Sequence, residues 1–150
     1  PQNQSIRIEE NVGKIMIYVD ANYWIYWFDQ RLPEHKHVIK TMRNAIHDGI
    51  ILNVVTLMEV AHYFRHLPEE EFLKRLNTIE NLSTLTFINL DLDIAELAFE
   101  QLVKYAKTGV GGRDGVILAT MKTTGTKRIV THDEVFKKIE NLEVIDPIPR

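Results

Sequence analysis

Ile15-Met16-Ile17-Tyr18-Val19-Asp20-Ala21-Asn22-Tyr23-Trp24-Ile25-Tyr26-Trp27-Phe28 decides how the chain is read. The first five residues are apolar or aromatic and largely β-branched, with no polar alternation. That is the pattern of a strand covered on both faces. Asp20 interrupts the run, and a helix-like stretch follows at once, placed at 22–29. A buried strand that ends in an acid and turns directly into a helix is the repeating unit of a parallel α/β sheet.

The same grammar recurs outward from this stretch. Further strands are expected at 50–55, 85–90, 127–131 and 142–145, with the first at 15–19. Between them the apolar spacing predicts helices at 34–48, 56–66, 69–82, 91–107, 112–124 and 132–139. Pro33 suits the first turn of the second helix and Gly49 its C-terminal cap. Pro68 separates two helices, Asp91 can cap another, and Gly125 ends the sixth. Gly109, Gly111 and Gly112 form a flexible joint before Asp114. The alternation predicts an α/β fold, a three-layer sandwich with a mostly parallel five-stranded sheet. One domain is expected over 15–150, preceded by a polar N-terminal extension at 1–14 that reads as a loose or edge segment.

Bulk properties narrow the function classes. A chain of 150 residues that is 45% hydrophobic can bury one sizeable core. A net charge of -3 offers no global attraction for nucleic acid or an anionic membrane, so any such binding must be local or mediated by metal. The absence of cysteine excludes disulfides and thiolate metal sites. No apolar run approaches the ~20 residues of a membrane helix, and the polar N-terminus has no signal-like apolar core. A cytoplasmic protein with no membrane contact is the expectation.

Four acids then stand out: Asp20, Glu59, Asp114 and Asp133. Each falls just past a strand-like run or in the first turn of a helix-like run. Singly, each has a structural explanation. Asp20 can cap the helix after it. Thr56-Leu57-Met58-Glu59 and Thr131-His132-Asp133-Glu134 both match a capping box. Asp114 is favoured by the dipole of its own helix. Jointly they say more. In a doubly wound sheet, ligands bind outside the carboxyl ends of the strands, and parallel neighbours would bring these acids to that one edge. Hard oxygen ligands suit Mg²⁺ or Mn²⁺. One or two such ions can polarise a phosphoryl oxygen and activate water.

With the acids in place, the chain resembles the PIN-domain ribonucleases, in particular the toxin half of VapBC toxin–antitoxin pairs. The matching segments are IYVDANYWIYWF at 17–28, VVTLMEVAHYF at 54–64, GGRDGVILATM at 111–121 and RIVTHDEVF at 128–136. ENLEVIDP at 140–147 looks like the last strand and terminal turn of that family. The resemblance spans 15–148 and implies a sheet of order 3-2-1-4-5. It places the four-acid catalytic and metal site on Asp20, Glu59, Asp114 and Asp133. Asn22 and Thr131 become the supporting polar residues. It implies one or two Mg²⁺ or Mn²⁺ ions and endonucleolytic cleavage of an RNA substrate, leaving 5′-phosphate and 3′-hydroxyl ends. It also implies a homodimer and inhibition by a small antitoxin. The extension of about 14 residues before the first strand departs from many such toxins. Two other functions fit the same residues: a non-catalytic RNA- or protein-binding module, and a structure-specific DNA nuclease.

Other constellations carry less. Glu59-Val60-Ala61-His62 has the spacing of di-iron bundles but occurs once, among strands. His62 and His66, four apart, are expected to share a helix face, with His62 bordering the site. Tyr23, Trp24, Tyr26, Trp27 and Phe28 could stack on bases, but core or dimer packing is the better use. Among the cations, Arg113 is favoured as a phosphate contact because it adjoins Asp114.

Overall fold

Ile17–Val19 forms β1, the middle strand of a five-stranded sheet of order β3-β2-β1-β4-β5. The structure, a computed structural model, describes residues 16–150. The extension expected at 1–14 lies outside them. The other strands are β2 (Ile50–Asn53), β3 (Leu85–Ile88), β4 (Arg128–Val130) and β5 (Glu143–Ile145). All four pairings are parallel, with Tyr18 opposite both Ile51 and Ile129. The sheet is therefore parallel throughout, as the uniformly apolar central runs require. Burial is complete along β1 and β2, while β3 and β5, at the edges, are only part-buried.

The connections are α1 (Ala21–Phe28), α2 (His35–Asp48), α3 (Val54–Phe64), α4 (Glu69–Glu80), α5 (Leu92–Lys104) and α6 (Gly112–Thr124). They complete the three-layer sandwich. A short 3₁₀ helix, Glu134–Lys138, joins β4 to β5. Gly125 ends α6 in the left-handed region at φ 69°, where a side chain would be strained. No helix among the described residues is long and apolar enough to cross a membrane.

Several expected boundaries move. β2 stops at Asn53 and α3 starts at Val54, although Val54 and Val55 read as strand. Asn53 ends the strand because its side chain accepts the Val55 N–H at 3.0 Å and caps the helix. Pro33 lies in the turn before α2 rather than in its first turn. The helix expected to 107 ends at Lys104, and the one expected at 132–139 is only the 3₁₀ segment. His66 lies past the end of α3, so it does not share a helix face with His62.

Two packing features position the later elements. Tyr23 and Trp24 are fully buried, and Trp24 Nε1 donates to Val19 O at 3.0 Å, locking α1 against β1. Tyr26, Trp27 and Phe28 pack partly buried on the same core, so the aromatic cluster is chiefly core. α6 is buried on more than one side: Ile117 and Met121 join the main core, while Val116 and Ala119 meet Ile94 and Ala98 of α5. Gly115 permits that approach, since a Cβ there would lie 3.2 Å from Ala98 O. The close α5–α6 contact fixes the N-terminus of α6, where Asp114 sits.

Candidate functional site

Asp20 follows β1 and is the N-cap of α1, accepting the Ala21 N–H at 2.8 Å. Its other oxygen accepts from the Thr131 hydroxyl at 2.7 Å. Thr131 follows β4, the neighbour of β1 in the sheet, so adjacency of the strands makes this contact. The same hydroxyl accepts the Asp133 N–H at 3.0 Å. One buried side chain thus ties two of the four acids together. Asp133, not Thr131, caps the following helix, accepting the Val135 N–H at 3.1 Å. Asn22 adds a second tie, its Oδ1 accepting the His132 N–H at 3.3 Å.

Asp114 is the third residue of α6 and its Oδ2 accepts the Gly111 N–H at 3.1 Å. Its Oδ1 is buried with no hydrogen-bond partner. Glu59 lies in the second turn of α3, not in the capping box expected of Thr56 and Glu59. Thr56 is instead buried, with its hydroxyl 2.6 Å from that of Tyr18. Freed from capping, the Glu59 carboxylate meets the Arg113 guanidinium, in contact with Nε, yet its Oε1 makes no aligned hydrogen bond. Arg113 also places Nη2 3.7 Å from Asp114 Oδ1.

The acids influence one another's charge. Burial pushes the Asp20 carboxyl up, against the Thr131 and Ala21 hydrogen bonds and the Arg113 charge, and Asp133 adds to the rise. Burial raises Glu59 from 4.5 to about 7; Arg113 opposes this, while Asp20, Asp114 and Asp133 reinforce it. Asp114 is raised by burial and by Asp133, against the Gly111 amide and Arg113. Each of the three feels other members of the set.

A groove of about 700 Å³ opens beside these acids. Asp20, Asn22, Glu59, Arg65 and Arg113 give it polar and charged walls, and Ile25, Val55, Met58 and Tyr63 give it apolar ones. His62 borders it, as its position one turn from Glu59 suggested, while Asp114 and Asp133 stand outside its lining. Among the described residues no group of three or more His, Asp or Glu side chains is already arranged to hold a metal.

A family model for the PIN domain matches residues 17–142. The chain belongs to the PIN-domain family. It is 27% identical to ribonuclease VapC2 of Methanocaldococcus jannaschii over 154 aligned positions, which cover 94% of this chain and 97% of that protein. Among solved structures, the PIN fold seen here is shared with VapC20 of Mycobacterium tuberculosis, a sarcin-ricin loop cleaving toxin. That match has a TM-score of 0.69 at 16% identity and covers 81% of this chain and 92% of the other. It is also shared with VapBC2 of Rickettsia felis bound to a promoter DNA fragment, with TM-score 0.66, 17% identity, and 87% and 98% of the two chains covered. FitAcB of Neisseria gonorrhoeae matches with TM-score 0.65 at 21% identity, over 88% and 98%.

One supporting residue of this PIN domain has no strong sequence signal. Asp146 lies beyond β5 with its side chain turned inward and accepts from Tyr23 Oη at 2.6 Å, while His132 Nδ1 lies 2.8 Å from its other oxygen. It pins the segment carrying Asp133 to α1. The Asp-Pro dipeptide at 146–147 marks a turn but not this partnership.

Proposed function

We propose that this PIN domain is a metal-dependent endoribonuclease, the toxin of a toxin–antitoxin pair. The observation that supports the reading is that Asp20, Glu59, Asp114 and Asp133, from separate elements, act on one another's charge. Buried Glu59 Oε1 and Asp114 Oδ1 lack hydrogen-bond partners. These oxygens face the Arg113 guanidinium without an aligned hydrogen bond, and carboxylate oxygens of this kind suit a hard divalent cation. Asp20, Glu59, Asp114 and Asp133 would hold one or two Mg²⁺ or Mn²⁺ ions. Such an ion supplies Lewis acidity to a phosphodiester and lowers the pKa of water.

The chain's own residues do the remaining work. Thr131 fixes Asp20 and Asp133 relative to each other, and Asn22 holds the loop between β4 and the 3₁₀ helix. Arg65, on the groove wall, offers a phosphate contact, and Arg113 offers another when it turns from the acids. Met58 and Tyr63 give an unstacked base an apolar surface. In the reaction a water oxygen bonds to phosphorus and gives up a proton, the bond from phosphorus to the 3′-oxygen breaks, and that oxygen takes up a proton, so the products carry 5′-phosphate and 3′-hydroxyl ends. A small antitoxin protein, a homodimeric state and a cytoplasmic location complete the proposal. The antitoxin is supported by the likeness to ribonuclease VapC2 and to the VapBC fold.

Cleavage of a structured RNA with Mn²⁺, followed against an Asp114→Asn control, tests the assignment. Mn²⁺-dependent products that vanish in the variant and in chelator are expected. Equal cleavage by both proteins would sink it. Running duplex and branched DNA in the same assay distinguishes a structure-specific DNA nuclease, which would cut those substrates and spare RNA.

A further inference from the structure

We propose that Arg113 is a built-in counter-ion of the metal-free site and competes with the divalent cation for Glu59 and Asp114. The inference rests on the metal-site reading above and adds a control on that site. The two carboxylate oxygens that lack hydrogen bonds, Glu59 Oε1 and Asp114 Oδ1, are the two that the Arg113 guanidinium faces. A cation is therefore already present where a second one would have to bind.

The contact is a one-pronged ion pair. An aligned, two-pronged arginine–carboxylate pair in this chain looks different: Arg31 meets Asp29 through Nε at 2.9 Å and Nη2 at 3.0 Å, both aligned hydrogen bonds. Arg113 touches Glu59 through Nε alone, and its Nη2 lies 3.7 Å from Asp114 Oδ1. Its side chain is 46% exposed, so it can swing into solvent without opening the core. Its reach is nevertheless broad, for its charge favours the ionised forms of Asp20, Glu59 and Asp114 together. Helix geometry sets this up: Arg113 adjoins Asp114 in the first turn of α6, and packing brings Glu59 of α3 to it. A guanidinium cannot lose its charge at working pH, so the competition persists wherever the acids are ionised. When a divalent ion binds, the displaced guanidinium is left at the groove wall, where an RNA phosphate can take it up.

Titration calorimetry with Mn²⁺ alone, on the full chain, tests this. Arg113→Ala and Arg113→Gln are expected to bind Mn²⁺ roughly 5- to 100-fold more tightly than wild type, the range of an ordinary coupling between two ligands at linked sites. Arg113→Lys, which keeps a cation, should stay near wild type. Without metal the Ala and Gln variants should melt at lower temperature at neutral pH, and Mn²⁺ should raise their melting temperature by more than it raises wild type's. A misfolded protein cannot bind more tightly, so damage does not mimic the expected result. Mn²⁺ binding by wild type with equal or weaker binding by both neutral variants overturns the counter-ion role alone. No Mn²⁺ binding by any of the proteins overturns the metal site itself.

Discussion

Two buried sets of carboxylates in this molecule are treated in opposite ways. The Asp146 side chain is 3% exposed, and burial alone would push its carboxyl up. Hydrogen bonds from Tyr23, His132 and Lys137 overcome that and hold it below the ordinary carboxylate range. Asp20, Glu59 and Asp114 also lose water, but they receive few donors, repel one another and are raised instead. A charge that serves only the fold is saturated by the chain. A charge left short of donors inside a protein is waiting for a cation or carries a standing penalty. The difference separates structural acids from candidate site acids more cleanly than burial does.

The hardest test of the contrast is to neutralise one acid from each set. Asp114→Asn should lower Mn²⁺-dependent RNA cleavage by about 100- to 1000-fold, the scale of a lost electrostatic contact to the transition state. It should leave the melting temperature unchanged or raise it, because repulsion is relieved. Asp146→Ala should do the reverse in stability. Losing hydrogen bonds to a charged acceptor costs about 3 kcal/mol, or a fall of about 10 °C for a domain of this size. Thermal melts of both variants in chelator, beside cleavage assays, decide the matter. If Asp114→Asn melts far below wild type, Asp114 belongs with the structural acids.

How far this contrast could be read in the chain depends on distance along it. The parallel sheet and the end of β1 follow from local apolar runs, and with them the position of Asp20. Val54 and Val55 misled the boundary because β-branched residues suit a buried strand as well as the first turn of a helix. The signal that wins is Asn53, whose side chain caps α3. The shift matters because it takes Glu59 out of the capping box and leaves its carboxylate to Arg113. The Arg113–Glu59 contact depends on how α3 and α6 pack, and the Tyr23–Asp146 bond spans 123 positions. Neither has a periodicity that sequence could reveal. The strand order β3-β2-β1-β4-β5 was expected only through the resemblance to PIN domains and is the one observed.

Acidity should sort the two sets as well, with opposite signs. Glu59 has its folded value raised from 4.5 to about 7, so the folded state prefers it protonated. Its stabilising contribution is full below 4.5 and is lost as the pH climbs to about 7. Asp146 has its folded value lowered from 3.8, so its contribution is present above that pH and is lost as the pH falls through and below it. In chelator, wild-type melting temperature should therefore decline between about 4.5 and 7, and Glu59→Gln should flatten that decline. Saturating Mn²⁺ should offset it, because metal binding strengthens as its carboxylate ligands ionise. A wild-type melting temperature that is level across this interval in chelator would remove Glu59 from the donor-poor set.

The smallest expected effect probes Asp20, which stands between the two groups. It is raised by burial, yet it has two protein donors, the Ala21 amide and the Thr131 hydroxyl. Thr131→Val keeps the β-branched shape at a fully buried position and removes the hydroxyl. Asp20 then loses a donor and the Asp133 N–H loses its acceptor. Stability should fall by about 1 kcal/mol, the ordinary net worth of such a bond. Mn²⁺ affinity should fall by about 10-fold, as it does when groups that orient metal ligands are removed. Thr131→Ser, which restores the hydroxyl at the same place, should recover most of the affinity while regaining little of the packing. That split distinguishes a hydroxyl that orients Asp20 from one that only fills the core. If Val and Ser variants bind Mn²⁺ alike, Asp20 is held by its helix cap alone.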